Sequence, residues 1–309
     1  MDLIAFGTMF LEIVFGNVPA LPAPGEEIYA DEFAISCGGA VTAASAASRL
    51  GVSVGLSTLL GEDLGSSVVV EHCRQAGVDL STSRYVTGSA AGITVVVNYA
   101  GDRAFITYLP PRCQAQDSER ERWLEVLRRG RPAWCYLHAG TGMSELLREA
   151  RSLGIRVALD VGLNEIAADP DAVVACTRLA DVFLPNTGEL LRLTGAGTLD
   201  AAIDTAVTWG PPVVVKRGGD GAIVASRAGR TPVTEGITQV RVRDRTGAGD
   251  AFAGALIGAL CQGASITEAA AAGNRAGSDT VSKLGAVGEV EVAGLSGGLP
   301  WRDLGGLFQ

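Results

Sequence analysis

The chain has 309 residues, a formal net charge of −9 and 47% apolar residues. That length suits one large α/β domain or two ordinary ones, with enough apolar residues for a sizeable core. The acidic balance argues against nucleic acid as a partner, because phosphate-backbone binding needs a basic face; a small phosphorylated ligand held by backbone amides remains compatible with it.

The opening stretch, MDLIAFGTMFLEIVFG, has no basic leader and no cleavage site, so it reads as a core strand and not a signal peptide. No charge-free apolar run reaches the roughly 18 residues of a membrane span. Six cysteines (Cys37, Cys73, Cys113, Cys135, Cys176 and Cys261) are scattered without C-x-x-C spacing, as expected of free thiols in a reducing cytoplasm. No membrane partner is expected.

In chain order, LIAF reads as a strand, AVTAASAASRL after Cys37-Gly38-Gly39 as an Ala-rich helix, VSVGLSTLL as a strand, and SSVVVEHCRQAG as a helix stopped by Gly77. The strand AWCYLH, helix MSELLREARSLG, strand IRVALD, helix DAVVACTRLA and strand DVFLP follow, with VVVKRG, GAIVAS and QVRVR continuing the strands. Such alternation with apolar strands predicts a doubly wound α/β fold, a mainly parallel sheet covered by helices on both faces, with ligands beyond the carboxyl ends of the strands. Residues 92–109, GITVVVNYAGDRAFITYL, break the rhythm and predict an antiparallel hairpin through a Gly-Asp turn. With residues of about 10–33 it forms a small sheet over the strand ends, a lid on a single domain spanning 1–309.

The chemistry concentrates in DRTGAGDAFAGALIGAL, where two carboxylates bracket small residues just before an apolar helix. Gly247, Ala248 and Gly249 at a helix N-terminus form an anion cradle, since their amides and the helix dipole favour negative charge. Asp250, on the first turn, is the candidate base; the same residues also describe an ordinary glycine-rich helix start capped by Asp. Phosphoryl transfer needs this combination of a cradle, a metal and a carboxylate that receives the acceptor's proton.

DRTGAGDAF resembles the D-x-x-G-A-G-D-x-F signature of the ribokinase-like (PfkB) carbohydrate kinases, matching at Asp244, Gly247, Ala248, Gly249, Asp250 and Phe252. Three more blocks follow the family order: CGGAVTAASAASRLGVSVGLSTLLGEDLGS, PNTGEL and VVVKRGGDGAIV. The resemblance implies an ATP-dependent kinase acting on a hydroxyl of a sugar or sugar-like acceptor, with a nucleoside kinase as the alternative. It implies Mg2+ near Asn186 and Glu189, mostly through water, and a monovalent ion such as K+ near Asp244. Taken alone, N-x-x-E first describes an Asn-capped helix. By resemblance Gly218, Gly219 and Gly221 pass the nucleotide, with Lys216 as a phosphate or ribose contact and Asn274 lining the adenine pocket; the glycines equally describe a turn between two strands, and Asn274 a plain surface residue.

The acceptor end departs from the family. Gly38 and Gly39 allow close approach of a sugar or tight packing, but Thr42 and Ala43 stand where relatives carry an asparagine. The acid nearest the family's sugar-gripping aspartate is Glu12. Arg103 on the hairpin reaches toward an acceptor or toward solvent, Asp160 ends a central strand on the ligand side, and His138 reads as a core histidine. A homodimer through the lid is expected. A nicotinamide-dependent oxidoreductase requires G-x-G-x-x-G after the first strand, which Gly7-Thr8-Met9-Phe10 lacks. A non-catalytic sugar sensor has no need of Asp250.

Overall fold

The structure, a computed structural model, describes residues 1–111 and 116–291; Cys113 and the last 18 residues of the predicted domain (292–309) lie outside the described residues. Among the described residues, fourteen strands occur in chain order: β1 (Leu3–Phe6), β2 (Met9–Val18), β3 (Glu32–Gly39), β4 (Val54–Ser57), β5 (Leu59–Leu60), β6 (Arg84–Tyr85), β7 (Gly92–Tyr99), β8 (Asp102–Tyr108), β9 (Trp134–His138), β10 (Arg156–Asp160), β11 (Val182–Phe183), β12 (Val213–Lys216), β13 (Ala222–Ser226) and β14 (Gly229–Val233).

Eight of them build one sheet in the order β14-β13-β12-β11-β10-β9-β1-β4. The pairs from β4 to β12 are parallel, and β13 and β14 add an antiparallel edge. Alternation along the strands feeds two cores. Ile4, Phe6, Cys135, Leu137, Val157 and Leu159 face one helix layer, and Leu3, Ala5, Trp134, Tyr136 and Ala158 face the other. This is the predicted mainly parallel, doubly covered sheet. Because β1 lies between β4 and β9, the strand order reverses there, which opens a crevice at the carboxyl ends of these strands.

Four strands form a separate sheet, β3-β2-β7-β8. It contains the predicted hairpin, but the turn differs from the expected Gly-Asp. Asp102 already pairs with Tyr99, and the turn residues are Ala100 (φ 50°) and Gly101 (φ 78°). Two positive φ values match the twist of the flanking strands. QVRVR is not a strand: residues 237–242 carry no regular structure, and Arg241, Val242 and Arg243 are exposed. Among the described residues their alternation has no neighbouring strand to pair with. No helix among the described residues is long and apolar enough to cross a membrane.

The helix Ala248–Cys261 is buried at nine of its positions and packs on the helix Ala40–Ser48. Gly254 permits that approach, since a Cβ there would run into the carbonyl of Ala43, and Gly258 lies on Ala47. Close backbone packing fixes the height of the helix's first turn over the sheet, and with it Asp250.

Candidate active site

The first turn of the Ala248–Cys261 helix begins at Gly247, which has φ 71° and no side-chain cap. A residue with a Cβ is strained in that conformation and would also strike Ala286. An uncapped helix start leaves amides of the first turn free for an anion, so these residues fit a phosphate group. Asp250 follows on this turn with 29% of its side chain exposed.

Asp250 stands at one end of a cavity of about 560 Å3 under the lid, lined also by His138, Glu165 and Thr141. The rest of the wall is mainly apolar, including Phe6, Met9, Phe10, Leu109, Trp123 and Met143, with Thr8, Thr58, Glu119 and Asn164 as polar members. Phe10 is wedged between two glycines: a Cβ would come within 3.0 Å of its ring at Gly39 and 2.5 Å at Gly92.

A polar network runs away from Asp250 across the strand ends. The Tyr136 hydroxyl lies 3.4 Å from both Asp250 Oδ1 and Asp160 Oδ2. Lys216 Nζ donates to both oxygens of Asp160, at 2.9 and 2.7 Å. Burial disfavours the ammonium, but Asp160 and Glu189 raise its pKa above the ordinary value. His138, Asp160 and Asp250 present atoms that all lie within 4.8 Å of one another. Because Lys216 already occupies both Asp160 oxygens, the group is an ion-pair network and not a free ligand set.

Asn186 and Glu189 form a reciprocal capping box: Glu189 N donates to Asn186 Oδ1 (2.9 Å) and Asn186 N to Glu189 Oε2 (2.7 Å). Burial raises the Glu189 pKa to about 7, with Lys216 opposing and Asp160 adding to the rise. The structure thus brings Asp250, Gly249, Lys216, Asp160 and Glu189 together. Lys216 faces Asp160 and Gly249, whose Cβ position lies 3.5 Å from Nζ, while Gly218 and Gly219 occupy a 3-10 turn with open space beside them.

Several residues expected to touch the acceptor do not line the cavity. Asp160 is 2% exposed and does not line the cavity, because its carboxylate is turned to Lys216 and to Val161 N. Glu12 and Gly38 lie behind the wall: Glu12 is 5% exposed and accepts from Ala286 N at 2.9 Å. Burial raises the Glu12 pKa to about 7, with the Ala286 amide opposing and Asp244 and Asp250 adding to it. The diglycine makes room for the lid strand itself, Gly38 for the Glu12 carboxylate and Gly39 for Phe10. Thr42 is buried against Gly247, its Oγ1 without a hydrogen-bond partner.

Asp244 is 1% exposed; it accepts from Thr246 N and Oγ1 and from Gly285 N, closing the turn before the cradle. Asn274 is not a surface residue. It is 3% exposed and donates to the carbonyls of Val233 and Glu235, beside Gly221. Arg103 lies outside the cavity, over Phe105 and beside Asp102, in a separate hollow with Asn17, Asn98 and Arg245.

His138 is not a core histidine. Its side chain is 41% exposed, with Nε2 3.9 Å from Asp250 Oδ1 and Nδ1 3.6 Å from Glu165 Oε1. Tyr136, Glu165 and Phe10 are absent from the sequence expectation. Tyr136 and His138 share one face of β9 by simple alternation, and that strand's carboxyl end was the legible signal; Glu165 and Phe10 reach the site only through the tertiary fold.

Residues 3–292 match the profile described as pfkB family carbohydrate kinase. The chain is 26% identical over 245 residues to a ribokinase of Mus musculus, covering 76% of this chain and 75% of that one. Among solved structures it resembles a putative ribokinase II from E. coli in complex with ATP and Mg2+, with TM-score 0.79, 22% identity and coverage of 94% and 96%. It also resembles a nucleoside kinase of Burkholderia thailandensis in complex with inosine, with TM-score 0.78, 16% identity and 94% coverage of both chains. With its parallel sheet, its second small sheet and its glycine cradle ahead of an apolar helix, this chain belongs to the pfkB family of carbohydrate kinases.

Proposed function

We propose that the protein transfers the γ-phosphoryl group of ATP to a hydroxyl of a sugar or sugar-like acceptor bound in the cavity beneath the lid. The observation that carries this reading is Asp250, which faces the cavity from the same helical turn as the uncapped cradle. Asp250 accepts the hydroxyl proton as the acceptor oxygen bonds to phosphorus and the bond to the departing ADP oxygen breaks. The amides at Gly247–Gly249 receive the charge of the transferred group. Asn186 and Glu189 would hold Mg2+ through water, an arrangement that suits a hard ion reluctant to dehydrate; the ion supplies charge neutralisation on the phosphates. A monovalent cation beside the turn closed by Asp244 belongs to the same reading. The lid excludes water, which would otherwise compete as acceptor.

The apolar wall favours a second reading. A bare sugar presents hydroxyls on all sides, and each one buried against Phe10 or Trp123 without a partner costs about 1–3 kcal/mol. A nucleoside offers one flat, less polar ring system for that wall and keeps hydroxyls for Asp250. We further place the protein in the cytosol, consistent with five free cysteines among the described residues. We pair two copies through the lid, where Phe33, Ile93, Phe105, Ile106 and Tyr108 are exposed.

ADP release, measured with ribose, fructose, adenosine and inosine at fixed ATP and Mg2+, tests both readings. At least one acceptor should stimulate release, and the nucleosides should exceed the bare sugars by about tenfold or more, the value of a single unpaired hydroxyl. Faster turnover of ribose or fructose would rule out the second reading, and no stimulation by any of the four would count against the first.

A further inference from the structure

The imidazole of His138 stands at the cavity wall between the candidate base and Glu165. Its Nε2 faces Asp250 Oδ1 at 3.9 Å, and its Nδ1 faces Glu165 Oε1 at 3.6 Å. Tyr136 stands edge-on to the ring, with ring centroids 6.2 Å apart and its hydroxyl 3.5 Å from Nε2. A neutral imidazole carries only one N–H, so it can serve only one of two carboxylates; an imidazolium donates to both.

We propose that His138, clamped by Glu165, is a positioning residue that orients Asp250 toward the acceptor hydroxyl and neutralises part of its surroundings as an imidazolium. The inference rests on the reading of Asp250 as base, and it assigns to His138 no contact with the reacting atoms.

The charge around the ring favours this. Asp250 comes from the Ala248–Cys261 helix, Glu165 from the helix Leu163–Ala168, Asp160 from β10 and Glu189 from the helix Thr187–Thr194. Lys216 from β12 cancels Asp160, and Tyr136 is neutral, its pKa raised well above the ordinary value by burial and by Asp160 and Asp250. Burial opposes charging the His138 ring, but Asp250 and Glu165 outweigh it and raise its pKa well above the ordinary value. Glu165 is correspondingly lowered, with burial opposing and His138 driving the fall. Asp250 therefore meets one cation that the sequence motif does not supply. Moderate distances are expected before substrate binds, since such contacts tighten in the ternary complex.

The test uses the two histidines of the chain. His72 is buried against Ser45 Oγ at 2.9 Å, and burial lowers its pKa to about 4, so only His138 should titrate near neutrality. In nitrogen-15 NMR of the whole protein, the signal lost in His138→Gln should remain doubly protonated above pH 7. In Glu165→Gln and in Asp250→Asn it should lose its proton at a pH lower by about one unit, the scale of removing one nearby charge. In ADP release with the fastest of ribose, fructose, adenosine and inosine, His138→Gln should lower kcat about tenfold and move the acid limb of the pH–rate profile up by about one unit, with KM for ATP unchanged. A neutral His138 at pH 7, or an acid limb that stays in place in a folded His138→Gln enzyme, overturns the proposal. If His138→Gln does not fold, the NMR titration of Glu165→Gln decides it. Absence of ADP release from the parent enzyme counts against the kinase reading, whereas the NMR result tests the clamp independently.

Discussion

Asp250→Asn is expected to fold and bind nucleotide as the parent does, and to turn over at least about a hundredfold more slowly. The substitution keeps the shape of the side chain and its carbonyl oxygen, so the contact with the Tyr136 hydroxyl (3.4 Å in the parent) survives. It removes the one property the reaction needs, a carboxylate that takes up a proton at the cavity wall. The cradle is backbone and the helix start carries no side-chain cap, so phosphate binding should be untouched. Turnover with the best acceptor, read beside the ATP dissociation constant and the melting temperature, separates these effects. A folded variant within about tenfold of the parent rate would remove Asp250 from the chemistry.

The second large effect is on stability and comes from Glu12. Its pKa rises from an ordinary 4.5 to about 7 because it is buried, with Ala286 N opposing and Asp244 and Asp250 adding to the rise. A raised folded-state pKa means that the fold holds the proton more tightly than the unfolded chain. The contribution is fully present below about pH 4.5 and lost as pH rises through about 7. A carboxyl moved that far costs the ionised fold on the order of 3 kcal/mol. Glu12→Gln keeps an acceptor for Ala286 N and carries no charge to desolvate. It should therefore melt several degrees above the parent at pH 8 and show no advantage at pH 4. Equal melting temperatures at both pH values would show that the Glu12 carboxylate is not confined as the hydrogen bond to Ala286 indicates. The acceptor KM of the same variant separates the roles, because a raised KM with unchanged ATP affinity returns Glu12 to the acceptor site.

The phosphate end of this protein was legible because its chemistry is local. Gly247 and Asp250 stand three residues apart on one turn, and the capping box of Asn186 and Glu189 is a three-residue spacing; backbone geometry alone brings each pair together. The parallel sheet was legible for a similar reason, since apolar strands alternating with helices admit few other arrangements. The acceptor end was not. Asp160 meets Lys216 across 56 residues of chain, and His138 meets Glu165 and Asp250 from three different elements. Those partners depend on strand order, which no local spacing encodes. The same holds for Glu12: alternation along β2 puts Phe10 on the cavity, but only the tertiary fold brings Ala286 to the Glu12 carboxylate. QVRVR failed in the opposite way, having the local pattern of a strand and, among the described residues, no neighbour to complete it.

Transfer of labelled γ-phosphoryl from ATP to a small acceptor, followed in parallel for the parent and Asp250→Asn with adenosine, inosine, ribose and fructose, tests the central claim most directly. The account predicts a labelled phosphomonoester formed by the parent with at least one acceptor, dependent on Mg2+, and loss of at least about 99% of that rate in the folded variant. Label found only as inorganic phosphate with every acceptor, or equal transfer by both proteins, would contradict it.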